Sequence, residues 1–91
     1  MKVTHKAHAI LEVLANAFPT ATVTMRYMDG IFFYEMSFTA GPNRLTIGRA
    51  INQHSINRMP PHILAEYMAR ELREGAGEAL VRLFTGFDKD D

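Results

Sequence analysis

Two runs of alternating residues on either side of Asp29-Gly30 constrain the fold of this chain more than any other feature. TATVTMRYM precedes the dipeptide and IFFYEMSFTA follows it. Asp-Gly favours a type I′ turn, because that turn needs positive φ at both central residues. A two-residue turn fixes the pairing of the strands, so that Tyr27 faces Phe32 and Arg26 faces Phe33. The runs therefore predict an antiparallel hairpin with one apolar face in the core, formed by Ala21, Val23, Met25, Tyr27, Phe32, Tyr34, Met36 and Phe38.

The segments around this hairpin predict helices and one further strand. Apolar residues at helical spacing, with Thr4 placed to cap and Pro19 to stop, predict a helix over 4–17. After a turn, RLTIGRAI predicts a third strand that Gly48 ends or interrupts. A loop then leads to Pro60-Pro61, which suit the first positions of another helix. The order α-β-β-β-α(α) predicts an α+β fold in which helices pack on one face of a three-stranded antiparallel meander.

The last helical stretch, 61–86, carries apolar residues in two directions. The face that contains Phe84 points roughly 100° away from the face that contains Leu64. One straight helix cannot press both faces onto one sheet. Either the helix breaks at Gly75-Gly77, or its last two turns dock on something other than the sheet.

The order helix, three antiparallel strands and helix resembles that of the double-stranded-RNA-binding domain. That family carries a basic cluster at the start of its second helix. The corresponding start in this chain is PPHILAEYMAR, which has no such cluster. The order of elements alone therefore assigns the chain to no family.

Composition places the chain among globular proteins. Its 91 residues suffice for one small domain, and we expect residues 1–87 to form a single α+β domain and residues 88–91 an acidic disordered tail. The absence of cysteine fits a reducing cytoplasm. No apolar run approaches the ~20 residues of a membrane span. The sequence thus predicts a cytoplasmic protein that does not enter a membrane.

Residues able to carry chemistry do not form a recognisable set. The chain has no glycine-rich phosphate loop, no nucleophile elbow and no close pair of acids outside the charged face of the last helix. His5 and His8 are three residues apart on the first helix, but a metal site needs a third ligand from Glu12 or from a distant residue. The sequence therefore predicts no enzymatic activity, no cofactor and no bound metal.

The stretch between Glu35 and Glu66 contains no acidic residue. Its amides and basic side chains suit phosphates or an acidic protein surface. Against nucleic acid stand a pI near 6.9 and the lack of aromatic residues within 43–58, and the amides also suit backbone capping in an irregular loop. The predicted contact set for an anion or an acidic partner is Arg44, Arg49, His54 and Arg58.

Apolar residues on the predicted solvent side form a second candidate surface at the hairpin tip. Either the loop 49–60 covers them, or they form an interface, since apolar side chains beside an arginine are typical of interface cores. Residues 1–59 carry six bases and three acids, a net charge of +3, and residues 60–91 carry four bases and seven acids, a net charge of −3. Opposite charges favour an antiparallel meeting of two copies. We expect a homodimer whose interface includes Arg26, Met28, Ile31, Phe33, Leu80 and Phe84.

Together these features predict a small non-enzymatic module that acts by binding a protein. Its size and its lack of a catalytic set fit the accessory or inhibitor proteins of phages and mobile elements. The alternative is a protein that binds nucleic acid or a phosphate ligand through the acid-free segment 43–58.

Overall fold

The elements of the chain follow the predicted α-β-β-β-α-α order. The computed structural model describes the backbone of residues 2–89 and the side chains of residues 2–85. Three strands form one antiparallel sheet in the order β1-β2-β3, which confirms the α+β class. The elements are α1 (Val3–Ala17), β1 (Thr22–Met28), β2 (Ile31–Ala40), β3 (Asn43–Asn52), α2 (Gln53–Arg58) and α3 (Pro61–Lys89).

The hairpin at Asp29-Gly30 has the predicted turn and register. Asp29 and Gly30 have φ values of 51° and 81°, as a turn with two positive φ angles requires. Tyr27 pairs with Phe32 and Arg26 pairs with Phe33. β1 begins only at Thr22, so the predicted pair of Ala21 with Phe38 is not part of the ladder.

The third strand is longer than the sequence predicts. β3 continues past Gly48 to Asn52, whose side-chain oxygen accepts a hydrogen bond of 2.8 Å from the Ser55 N–H and caps α2. The prediction of a loop between Gly48 and Pro60 is therefore wrong. Gly48, which was predicted to end or interrupt the strand, pairs with Glu35 inside it, and Arg49 pairs with Tyr34.

Both long helices pack on the same face of the sheet, and the core lies between the two layers. The Tyr34 hydroxyl donates a 2.8 Å hydrogen bond to the Ala7 carbonyl and so joins β2 to α1. Phe38, predicted to be buried, is only half-buried at the edge of this core. The buried cluster consists of Ala7, Ile10, Leu14, Phe32, Tyr34, Met36, Ile51, Ile56, Leu64, Ala65, Met68 and Leu72.

Both ends of α1 are close to their predicted positions. The helix begins at Val3, and its N-cap is Lys2, which makes no capping hydrogen bond through its side chain. Thr4 is therefore not the cap. The helix ends at Ala17, and the Phe18 N–H completes its last turn by bonding to the Leu14 carbonyl.

Helix α3 is continuous through Gly75 and Gly77, so the helix does not break there, which was one of the two predicted alternatives. Its 29 residues span about 43 Å, whereas the ten residues of β2 span about 33 Å. The C-terminal part of α3 therefore extends beyond the sheet. Of the predicted tail, residues 88 and 89 continue this helix, and residues 90–91 lie outside the described residues. No described helix is both long and apolar enough to span a bilayer.

Candidate functional site

One face of the sheet is left without a helix. Its side chains come from the odd-numbered residues of β2 and the even-numbered residues of β1 and β3, because neighbouring side chains alternate between faces. At the end near the β2–β3 turn this open face is polar, with the Ser37 and Thr46 hydroxyl groups 2.9 Å apart. At the end near Asp29-Gly30 it becomes apolar.

The apolar end of the open face is the predicted hairpin-tip surface, which we call the tip cluster (Arg26, Met28, Ile31 and Phe33). The register makes these residues neighbours, since Met28 pairs with Ile31 and Arg26 with Phe33. The Arg26 guanidinium lies 5.1 Å from the centre of the Phe33 ring and 3.4 Å from the Glu35 carboxylate. Met28 keeps 52% of its surface exposed. The segment 49–60 does not cover the cluster, because it completes β3 and forms α2, which packs on α1.

The two other predicted interface residues lie on α3, away from the tip cluster. Leu80 is half-buried in a depression that Phe18 and Phe38 also line. Phe84 is 65% exposed on the part of α3 that extends beyond the sheet. Phe38 and Ile31 are at opposite ends of β2. The predicted interface residues therefore form two separate surfaces.

The predicted anion-contact residues are not gathered into one site. Arg44 lies on the open face, beside Thr39. Arg49 points to the helix side, where its Nε is 3.5 Å from the Glu71 carboxylate. His54 and Arg58 are one turn apart on α2, with 3.2 Å between the His54 Nε2 and an Arg58 nitrogen.

A groove between the end of β3, α2 and α3 was missed by the sequence reasoning. It has a volume of about 510 Å³ and its apolar lining comes from Ile51 of β3, from Met59, and from Ile63 and Tyr67 of α3. The polar residues that line it are Asn52, Ser55, Glu66 and Arg70. Tyr67 is 48% exposed. Helical spacing alone groups Ile63 and Tyr67 with Leu64, Met68 and Leu72 on one apolar face. The neighbouring positions 64 and 68 are the ones that α3 turns toward the sheet.

The titratable side chains of residues 2–85 offer little chemistry. No group of three His, Cys, Asp or Glu side chains comes together there as a metal site would require, and His5 and His8 are both exposed. Burial raises the pKa of Tyr34 well above its usual value, because the low-dielectric core disfavours the phenolate. That hydroxyl donates its hydrogen bond to a helix carbonyl inside the core, so we assign it a structural role.

The fold and its surfaces define a two-layer α+β protein with one uncovered sheet face, an exposed helix end and an apolar groove beside the third strand. Comparison with protein-family models, curated proteins and solved structures gave no match for this chain.

Proposed function

We propose that this protein is a small non-enzymatic module that acts by binding another protein through the apolar end of its open sheet face. The observation that carries the proposal is the tip cluster, in which Met28 and Ile31 remain exposed and Phe33 half-buried on a sheet face that no helix of the described residues covers. Apolar patches of this kind, with an arginine beside them, are typical of the well-packed part of protein interfaces.

The surroundings of the tip cluster support recognition of a protein rather than of nucleic acid. Arg26 is held between the Phe33 ring and the Glu35 carboxylate, so its charge is partly balanced within the protein. Arg49 is likewise paired with Glu71. A surface that binds phosphates needs several cations free on one side, and the four basic residues of the acid-free segment are spread over both faces of the sheet and α2.

Replacing Phe33 with glutamate should abolish capture of the partner. The full-length protein and its Phe33→Glu variant are immobilised and exposed to a nuclease-treated lysate of the source organism. Glutamate removes the Phe33 ring from the tip cluster and puts a carboxylate beside Arg26, so the partner loses an apolar contact and must desolvate a charged pair, which weakens binding strongly. The matched control is Thr39→Glu, which adds the same charge at the polar end of the same face. Circular dichroism checks that both variants fold.

A protein retained by the wild type and by Thr39→Glu, and lost from Phe33→Glu, is the expected result. A partner retained equally by all three proteins would contradict the proposed surface. Recovery of material only when nuclease is omitted would point to the nucleic-acid alternative.

We also propose that two copies associate through the exposed end of α3. Val81 and Phe84 lie three residues apart on this end, and both are largely exposed. An isolated helical end of this length gains stability chiefly from a packing partner. Phe84→Glu should therefore convert a particle of about twice the chain mass of 10.3 kDa into a monomer in light scattering, whereas Arg82→Glu, which changes the charge on another side of the helix, should not. A wild type that is monomeric at hundreds of micromolar would contradict the dimer.

A further inference from the structure

The outer edge of β3 is unpaired. β3 is ten residues long and pairs only with β2. The two-residue turn at Gly41-Pro42 is closed by the pair Ala40 and Asn43, which exchange backbone hydrogen bonds. Bonded and non-bonded pairs then alternate along the ladder. The even-numbered residues Arg44, Thr46, Gly48 and Ala50 therefore direct their N–H and C=O groups away from the sheet.

This edge carries two charged side chains, Arg44 and the inward-pointing Arg49, but it lacks two other devices that protect edge strands. β3 contains no proline, and each of its residues pairs one-to-one with β2 without a bulge. Within residues 2–85, one side chain bonds to an outward-facing backbone group. The Arg49 Nη1 donates a 2.8 Å hydrogen bond to the Gly48 carbonyl. Gly75 leaves room for this guanidinium, because a Cβ at that position would lie 2.9 Å from the Arg49 Nη2.

Small residues lie beside this edge on the open face, and the groove lies beside it on the helix side. On the open face, Gly48 and Ala50 leave a trough beside Phe33. On the helix side, the exposed side chains of Ile63 and Tyr67 lie in the groove below Ile51. A strand added to β3 would direct alternate side chains to the two sides. One set would fill the trough over Gly48 and Ala50, and the other would enter the groove.

We propose that the free edge of β3 accepts an extended segment of the partner protein as a fourth strand. The proposal rests on the proposed protein-binding function and names the form in which the partner is recognised. The bound segment carries apolar side chains at alternate positions. One of its backbone N–H groups donates to the Gly48 carbonyl in place of the Arg49 guanidinium.

The charges along β3 identify the class of segment. Residues 36–65 contain no acid, and Arg44 makes no ion pair within residues 2–85. An acidic residue of the bound segment opposite Arg44 would therefore form an ion pair with it. A second copy of β3 fits less well, because it brings Arg44 and Arg49 and no acid of its own. The occupant is an extended segment of another protein with an acidic residue at one end.

The test uses random peptides of about nine residues, a length that spans β3, displayed on phage and selected on the full-length protein. The selected peptides are then synthesised and titrated by fluorescence polarisation. Thr46→Pro removes one outward N–H without breaking the ladder to β2, and Thr46→Val is its matched control. We expect Thr46→Pro to bind at least about tenfold more weakly than Thr46→Val, and the peptides to share apolar alternation with an acidic end.

Arg49→Met separates strand addition from ion contact. If the peptide adds as a strand, we expect the variant to bind it equally or more tightly, because the Gly48 carbonyl is then free. If Arg49 instead recognises an acidic ligand, we expect the variant to bind it more weakly. N-methylation of successive peptide residues gives a readout that needs no folded variant. Binding should be lost at every second position only, as the alternation of outward hydrogen bonds requires.

Equal binding by the two Thr46 variants, weaker binding by Arg49→Met, or N-methylation effects without a period of two would each overturn the proposal. So would a selection that yields no binding peptide, or a wild-type dimer that Thr46→Pro alone converts into a monomer, since a second copy would then occupy the edge. The proposed function would survive any of these results if Phe33→Glu still loses the captured partner.

Discussion

Replacing Leu72 with alanine should lower the free energy of unfolding by about 2–5 kcal/mol. Leu72 is completely buried in α3 and belongs to the cluster that joins this helix to Leu14 of α1 and Tyr34 of β2. The substitution loses the transfer free energy of the removed carbons and leaves a cavity between the two layers. Domains of this size are stabilised by only about 5–15 kcal/mol, so the midpoint of urea unfolding should fall sharply.

The matched control for this prediction lies on the same helix. Glu74 is exposed on α3 outside the proposed dimer surface, and Glu74→Ala should change stability by less than about 0.5 kcal/mol. Both variants are measured by urea unfolding followed by circular dichroism. Similar midpoints for Leu72→Ala and the wild type would mean that α3 does not dock on the sheet through this face.

The turn and register of the hairpin were predictable, because local rules and the hydrophobic pattern agree there, although Tyr27, predicted in the core, is 54% exposed. Asp29-Gly30 demands a two-residue turn, and a slip of one position would have moved Phe32 and Tyr34 to the solvent side. The full extent of β3 was not predictable in this way. Arg49 takes an inward position and is neutralised by Glu71, a residue 22 positions further along the chain. Alternation of side chains says nothing about a partner supplied by tertiary packing.

Of the candidate surfaces, one was likewise predictable from the sequence and one was not. The tip cluster follows from strand register alone, so the sequence identified its members. The groove beside β3 depends on how α3 is rotated about its axis, and residues 63 and 67 are adjacent in sequence to residues of the true core. A difference of one position on a helix is about 100°, which hydrophobic spacing does not resolve when both positions are apolar.

Tyr34 makes the stability of this protein sensitive to alkali. Its hydroxyl donates to the Ala7 carbonyl in the fully buried core, and burial raises the pKa of Tyr34 in the folded state. In the unfolded chain the pKa of a tyrosine is about 10. Above that pH the unfolded state loses the proton while the folded state keeps it. The contribution of Tyr34 to stability is therefore full below about pH 10 and declines by about 1.4 kcal/mol per pH unit above it.

Tyr34→Phe should reverse the order of stability between neutral and alkaline solution. At pH 7 the variant lacks one buried hydrogen bond and should be less stable by about 0.5–1.5 kcal/mol. At high pH it lacks the ionisable group, so its stability should fall less steeply, and the two curves should cross between about pH 10 and pH 11. Every other ionisable group is common to both proteins and cancels in the difference. Urea unfolding from pH 7 to pH 12 measures both slopes, and Tyr67→Phe, at an exposed position, serves as the control. A difference between wild type and Tyr34→Phe that stays constant over this range would show that the Tyr34 hydroxyl ionises as readily in the folded protein as in the unfolded chain, and that it is not enclosed between β2 and α1.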